Sequence, residues 1–163
     1  MPTIRPAREQ DLPAVLDIYN HAIEYTTAVF ASDPHTLDMR KAWLREKQDA
    51  GFPVLVASDG DHVTGFATYG QFRAWPGYKY TVEHSVYVGV EARRRGIGRA
   101  LVEAVVTDAR RQGMHAIVAG IGSDNDVSIR MHARLGFVEA GHLREVGFKF
   151  GRWLDLTFMQ LLL

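Results

Sequence analysis

The sequence predicts an α/β (α+β) fold, a single domain over residues 1–163 built on a mixed, mostly antiparallel sheet of about seven strands with about four helices. Three observations carry this. Apolar residues near the N-terminus recur at helical spacing, those of the middle third form short strand-like blocks, and the last third alternates strand-like with helix-like segments. The 163 residues suffice for one core. Hydrophobic residues make up 47% and charged residues 23%, with 15 Gly and 6 Pro, which excludes collagen-like and disordered readings.

Residues 3–5 read as a short strand. Asp11 stands where a helix cap is expected, Pro13 fits the first turn, and Leu12, Val15, Leu16, Tyr19 and Ile23 share one helical face. A second helix is expected over residues 36–50, burying Leu37, Trp43 and Leu44 and stopping at Gly51. The period then changes: residues 53–58 and 63–72 read as strands joined by a hairpin turn at Asp59-Gly60-Asp61-His62, and residues 81–90 continue the sheet. A helix over about 98–112 ends at Gly113, residues 115–121 form a buried strand, and residues 126–135 another helix. Residues 137–139 and 152–162 supply the last strands, and no repeat, low-complexity tract or linker interrupts the chain.

Nineteen basic residues against nineteen acidic ones leave no net charge, so neither nucleic acid nor a membrane surface is an expected partner and any anion site must be local. The N-terminal string MPTIRPAREQDL lacks a signal-peptide pattern and no apolar run approaches ~20 residues, so the expected location is cytoplasmic. The absence of cysteine removes disulfides and thiolate nucleophiles. The histidines (His21, His35, His62, His84, His115, His132 and His142) show no HExxH or other tight ligand spacing, so no metal site is expected.

The strongest local signal is VYVGVEARRRGIGRAL over residues 86–101, a strand that turns through an Arg/Gly loop into a helix. Glycines let backbone N–H groups approach a ligand, and a helix start adds unpaired donors, so the segment suits phosphate oxygens. Arg93, Arg94, Arg95 and Arg99 concentrate positive charge there; the alternative is a solvated basic turn. It lacks both the GxxxxGK[ST] pattern of nucleotide triphosphate loops and the third glycine of a dinucleotide fingerprint.

Arg93-x-x-Gly96-x-Gly98 after a strand resembles the pyrophosphate-binding motif of the GNAT superfamily of acetyl-CoA-dependent N-acetyltransferases. The strings PHT, FRAWPGYKYTVEHSVYV, IGSDNDVSIRMHARLGF and VGFKFGRWLDLTFMQ narrow the likeness to the phosphinothricin / methionine sulfoximine acetyltransferase branch. The resemblance implies a GNAT-like fold, acetyl-CoA as cofactor, a small-molecule amino acid substrate acetylated on its α-amine as in detoxification, and a homodimer. It implies cofactor contacts from Val86, Tyr87, Val88, Arg93, Arg94, Arg95, Gly96, Ile97, Gly98, Arg99 and Asn125, with Ser128 on the same helix face as Asn125.

With no cysteine and no GxSxG elbow, direct attack in a ternary complex is preferred to an acyl-enzyme. Glu83 is the candidate base: it lies in the otherwise uncharged strand TVEHSVYV, on one face with Thr81, Ser85 and Tyr87, and the resembled family proposes that role for the matching glutamate. The competing reading is a carboxylate paired with an Arg or Lys. His132 stands where many GNAT enzymes carry a tyrosine acid for the thiolate; a catalytic and a structural role both remain open. For the substrate, Arg73 offers a bidentate grip in a cation- and aromatic-bearing loop, against an exposed loop with incidental charge. The resemblance places substrate contacts at Arg73, Ala74 and Trp75, with Tyr78 in the same loop and Phe30 walling the pocket. The apolar segment 153–163 is read either as a dimer face or as an interior strand. Two other functions compete: a non-catalytic acetyl-CoA-binding module and a protein or peptide N-acetyltransferase.

Overall fold

Alternation along the strands sorts their side chains onto two helix-covered faces, and that sorting builds the architecture. The computed structural model describes residues 2–163. The elements run β1 (Thr3–Pro6), α1 (Leu12–Tyr25), α2 (Leu37–Asp49), β2 (Val54–Asp59), β3 (His62–Gln71), β4 (Thr81–Val88), α3 (Ile97–Arg111), β5 (Ala116–Gly122), α4 (Asp126–Arg134), β6 (Val138–Lys149) and β7 (Arg152–Leu162). The seven strands form one sheet in the order β1-β2-β3-β4-β5-β7-β6. Every neighbouring pair is antiparallel except β4 and β5.

On one face, Ala67, Tyr69, Val82, Ile117 and Ala119 pack under Leu101, Val102, Val105 and Ala109 of α3. On the other, Val54, Val56 and Phe66 meet Leu12 and Val15 of α1 and Leu44 of α2. Each Leu, Val, Ile or Phe among these contributes roughly 1.5–3 kcal/mol when fully buried, and the alanines less, so α3, with Leu101, Val102 and Val105 fully buried, is a main fastener of the sheet.

Three local expectations are corrected. Asp11 does not cap α1 with its side chain; its carboxylate takes both Arg5 guanidinium nitrogens at 2.7 and 2.8 Å and the Arg8 N–H at 2.7 Å. A charge-assisted fork is stronger than one helix N–H, and the Arg5 contact holds the Asp11 carboxyl below its ordinary range. The strand expected at residues 137–139 is the start of the 12-residue β6. Its polar string hid it because β6 is an edge strand with solvent along one side and a register irregularity between Leu143 and Gly147. The strand expected over residues 81–90 ends at Val88, where a single turn of 3-10 helix at Val90–Ala92 leads into the Arg/Gly loop. Finally, β7 lies inside the sheet between β5 and β6, but only Leu154, Thr157 and Met159 of it are buried and Trp153 and Leu162 are exposed, so its sheet position alone does not account for its apolarity.

One feature of the sheet positions everything that follows. β4 and β5 pair only from Thr81↔Ala116 to His84↔Ala119. Beyond that point both strands continue, β4 held by β3 and β5 held by β7, but no longer by each other.

Candidate active site

The divergence of β4 and β5 opens a cleft in the middle of the sheet. Ser85, Val86 and Tyr87 line it from β4, Gly120, Ile121 and Gly122 from β5, Asn125, Ser128 and His132 from α4 and the turn before it, and Ala28 from the loop after α1. Unbonded strand edges are templates for an extended, amide-bearing ligand, because each backbone N–H and C=O there still lacks its partner.

The start of α3 stands beside the end of β4. Gly96 adopts φ 77° at the helix cap, a conformation that glycine takes without strain, and Arg94 two residues before it adopts φ 64°. No side chain caps this helix, and the first backbone bond into it runs from Ala100 N–H to Gly96 O at 3.1 Å. The N–H groups of Ile97, Gly98 and Arg99 therefore point out of the helix with its positive dipole end behind them, which is an anion site. The surrounding cations are partly occupied: Arg95 pairs with Asp59 and Arg99 with Glu103, each at 2.9 Å, and Arg93 Nε donates to Val88 O at 3.4 Å. Among the described residues Arg94 has no ion-pair partner.

Glu83 lies on β4 opposite Gly70 of β3 and Val118 of β5, on the same strand face as Ser85 and Tyr87. It is half-buried, and no Lys or Arg among the described residues forms an ion pair with it. Burial pushes its carboxyl up, and the Arg73 guanidinium pulls it the other way. A half-desolvated carboxylate with no salt bridge is a better proton acceptor than an exposed one.

His132 is 1% exposed. Its Nδ1–H donates to Ser128 O at 2.7 Å, so its Nε2 is the acceptor, and His84 Nε2–H fills that place at 3.0 Å. The two rings stack at 5.0 Å. Burial, with His132 adding to it, drives His84 down to about 3, and burial lowers His132 as well. The pair is uncharged at neutral pH. His132 thus meets the cleft as a neutral ring with both nitrogens engaged, an arrangement closer to the structural than to the acid reading. Asn125 Oδ1 accepts the Ser128 N–H at 3.2 Å and caps α4.

The structure brings Val86, Tyr87, Asn125, Ser128 and His132 to one cleft, with residues 93–99 at its α3 side and Glu83 one strand residue beyond His84. It does not bring the loop of residues 73–78 to the cleft wall. Arg73 Nη1 donates to Phe72 O at 2.8 Å and its guanidinium lies 4.2 Å over the Phe72 ring. Tyr78 packs edge-on against Phe72, and Trp75 is 75% exposed. Phe30 sits against Gly147 of β6, near Ala28. Sequence reasoning put Ser85 on the face of Glu83 and Tyr87 without giving it a place in the site, and missed His84, Ala28 and the Gly120-Ile121-Gly122 end of β5. His84 could not be found in this way, because its partner is 48 residues away.

This geometry has known counterparts. The L-methionine sulfoximine/L-methionine sulfone acetyltransferase of Salmonella typhimurium is 48% identical over 98% of this chain and 93% of its own length. The phosphinothricin N-acetyltransferase of Streptomyces coelicolor is 38% identical over 96% of this chain and 94% of its own. A solved acetyltransferase from Salmonella typhimurium, described with its cofactor acetyl-CoA, superposes with TM-score 0.97 at 47% identity, covering 99% of this chain and 94% of that one. The profile of the acetyltransferase (GNAT) family matches residues 15–137, and the chain belongs to that family.

Proposed function

We propose that this chain transfers acetyl from acetyl-CoA to the α-amine of a small amino acid analogue of the methionine sulfoximine, methionine sulfone or phosphinothricin type, by direct attack in a ternary complex. The observation that carries the reading is the cleft at the β4–β5 divergence, with an unpaired carboxylate on one side and an uncapped helix start on the other. The two relatives named for such substrates support the substrate class.

Bound acetyl-CoA supplies the activated acyl carbonyl. The N–H groups of Ile97, Gly98 and Arg99 hold its pyrophosphate, and the open edge of β4 at residues 85–88 bonds its amide arm. Glu83 takes a proton from the substrate ammonium, directly or through water, and frees the nitrogen lone pair. The new C–N bond then forms and the C–S bond breaks; the nitrogen gives up the extra proton it carries after attack, and a proton taken up by the departing thiolate makes the CoA thiol, so the amide and the thiol leave in balance. A panel of these amino acids against peptide N-termini and lysine peptides, read as released thiol, tests the assignment. Larger kcat/KM on peptides overturns the substrate class, and no thiol release from any substrate makes the chain a binding module.

In the substrate loop, Arg73 is assigned the substrate's anionic end, which requires its guanidinium to leave Phe72 on binding. Arg73→Ala is expected to raise the amino acid KM by about tenfold with the acetyl-CoA KM unchanged, and Arg73→Lys to recover only part, since an ammonium cannot reproduce the planar fork. Because Arg73 lowers the Glu83 pKa, the acidic limb of the kcat profile should move to higher pH in Arg73→Ala. Unchanged KM and an unmoved limb would remove Arg73 from the site.

The same reading includes a homodimer and work in the cytoplasm, where acetyl-CoA is drawn from the metabolic pool. No helix of the structure is long and apolar enough to cross a membrane. Exposed Phe148 on edge strand β6 packs at 4.9 Å against exposed Trp153 of β7, an apolar surface suited to a second copy. Light scattering at micromolar concentration should give twice the chain mass; a monomer refutes the dimer.

A further inference from the structure

Between α1 and α2 the chain crosses residues 26–36 without a helix or strand. This loop carries Ala28 to the cleft wall and Phe30 beside it. A connection of this length holds one shape only if something outside it supplies partners for its backbone.

Those partners come from the end of β6. Lys149 is 5% exposed, and its ammonium donates to Ile23 O at 2.5 Å, Thr26 O at 2.7 Å and Val29 O at 2.7 Å. An ammonium has three N–H donors, and three carbonyls of one segment use them all. No carboxylate among the described residues forms an ion pair with Lys149, so the charge is balanced by carbonyl dipoles, among them Ile23 in the last turn of α1, the negative end of the helix dipole. Two residues earlier on the same strand, Gly147 leaves room for Phe30: a Cβ there would lie 2.5 and 2.6 Å from the Phe30 ring. Gly147 and Lys149 alternate onto one strand face, one seating the ring and the other gathering the carbonyls. A weaker tie runs from Thr27 Oγ1 to Asp124 at 3.3 Å, and Asp124 is in turn held by Arg152 at 3.0 Å.

We propose that Lys149 is a positioning residue for amino acid recognition, fixing the loop of residues 26–30 over the cleft by binding its carbonyls, with Gly147 as the seat of Phe30. The proposal rests on the substrate reading above for its kinetic consequence, but not for its structural one. On that reading, in which Phe30 walls the amino acid pocket, removing the donors frees the loop that carries Phe30 and Ala28, while β4, held by β3, and the start of α3 stay in place.

The test is Lys149→Met, which keeps an unbranched side chain one heavy atom shorter and deletes its donors. The expected result is an amino acid KM raised about tenfold or more with an acetyl-CoA KM within about twofold of wild type. Hydrogen exchange at the amides of residues 27–30 should speed up while β4 and α3 stay protected. The exchange measurement needs no substrate, so it stands even if the wild type acetylates none of the amino acids, a result that would strike the substrate reading instead. Unchanged exchange in the loop, or both KM values rising together, overturns the proposal. Should Lys149→Met fail to fold, Gly147→Ala takes over the comparison: it evicts Phe30, retains Lys149, and must raise the amino acid KM alone, or the loop is not positioned from β6.

Discussion

Glu83→Gln is expected to lower kcat by about 10²–10⁴-fold, the range that a general base contributes, with acetyl-CoA affinity unchanged. The substitution keeps the shape of a side chain that is half-buried on β4 and removes only its capacity to accept a proton. Stability separates this from unfolding. Burial raises the folded pKa of Glu83, so the folded state binds its proton more tightly than the unfolded chain, and the cost of holding it ionised appears as pH rises above the unfolded value. Gln carries no such cost, so the variant should melt at the same temperature as wild type or higher at neutral pH. The wild-type kcat should rise through an acidic limb above the ordinary glutamate range, and that limb should vanish in Glu83→Gln. Wild-type kcat across the whole pH range would make Glu83 structural.

Gly98→Val should raise the acetyl-CoA KM by about 10–100-fold, the loss expected when one or two hydrogen bonds to a charged group are blocked. The protein itself tolerates a Cβ at this position: it would meet Met131 Sδ and Val88 Cγ2 at 3.5 Å, ordinary contact. Gly98→Ala therefore folds and serves as the milder member of the pair, whereas the branched Val crowds both neighbours and the space in front of the helix start. The effect belongs to the cofactor, so kcat at saturating acetyl-CoA should survive and the amino acid KM should hardly move. A folded Gly98→Val with wild-type cofactor binding would move the pyrophosphate away from α3.

What could be read from the sequence was what neighbouring residues determine. The helices at Leu12–Tyr25 and Ile97–Arg111 follow from apolar spacing, and β7 at Arg152–Leu162 was placed to the residue because the Phe150-Gly151 turn before it is sharp and the strand is apolar throughout. Glu83 stood out as one carboxylate in an apolar strand. What escaped depends on pairing at a distance. Nothing in TVEHSVYV says that β4 parts from β5 after His84, since divergence is a property of two strands and of the neighbours that hold each of them. Likewise Lys149 looks like a solvated lysine in GFKFG until the fold brings three carbonyls to it from more than 100 residues away. The length of β6 was hidden by its edge position, where polar residues are allowed, and by the Glu145 kink at φ 54°.

The interior place of β7 has a consequence for how the molecule assembles. The chain makes β5, then α4 and β6, and only afterwards the strand that lies between β5 and β6. Until Ala116 finds Leu162, the full length of β5 is a bare apolar edge beside a half-built cleft. Such an edge is where nascent chains stick to one another, and closing it requires contacts over some of the longer sequence separations in the fold. Beyond Ala119 the β5 wall of the cleft is held by β7 and no longer by β4, so the cleft has its second wall in place only once β7 has docked.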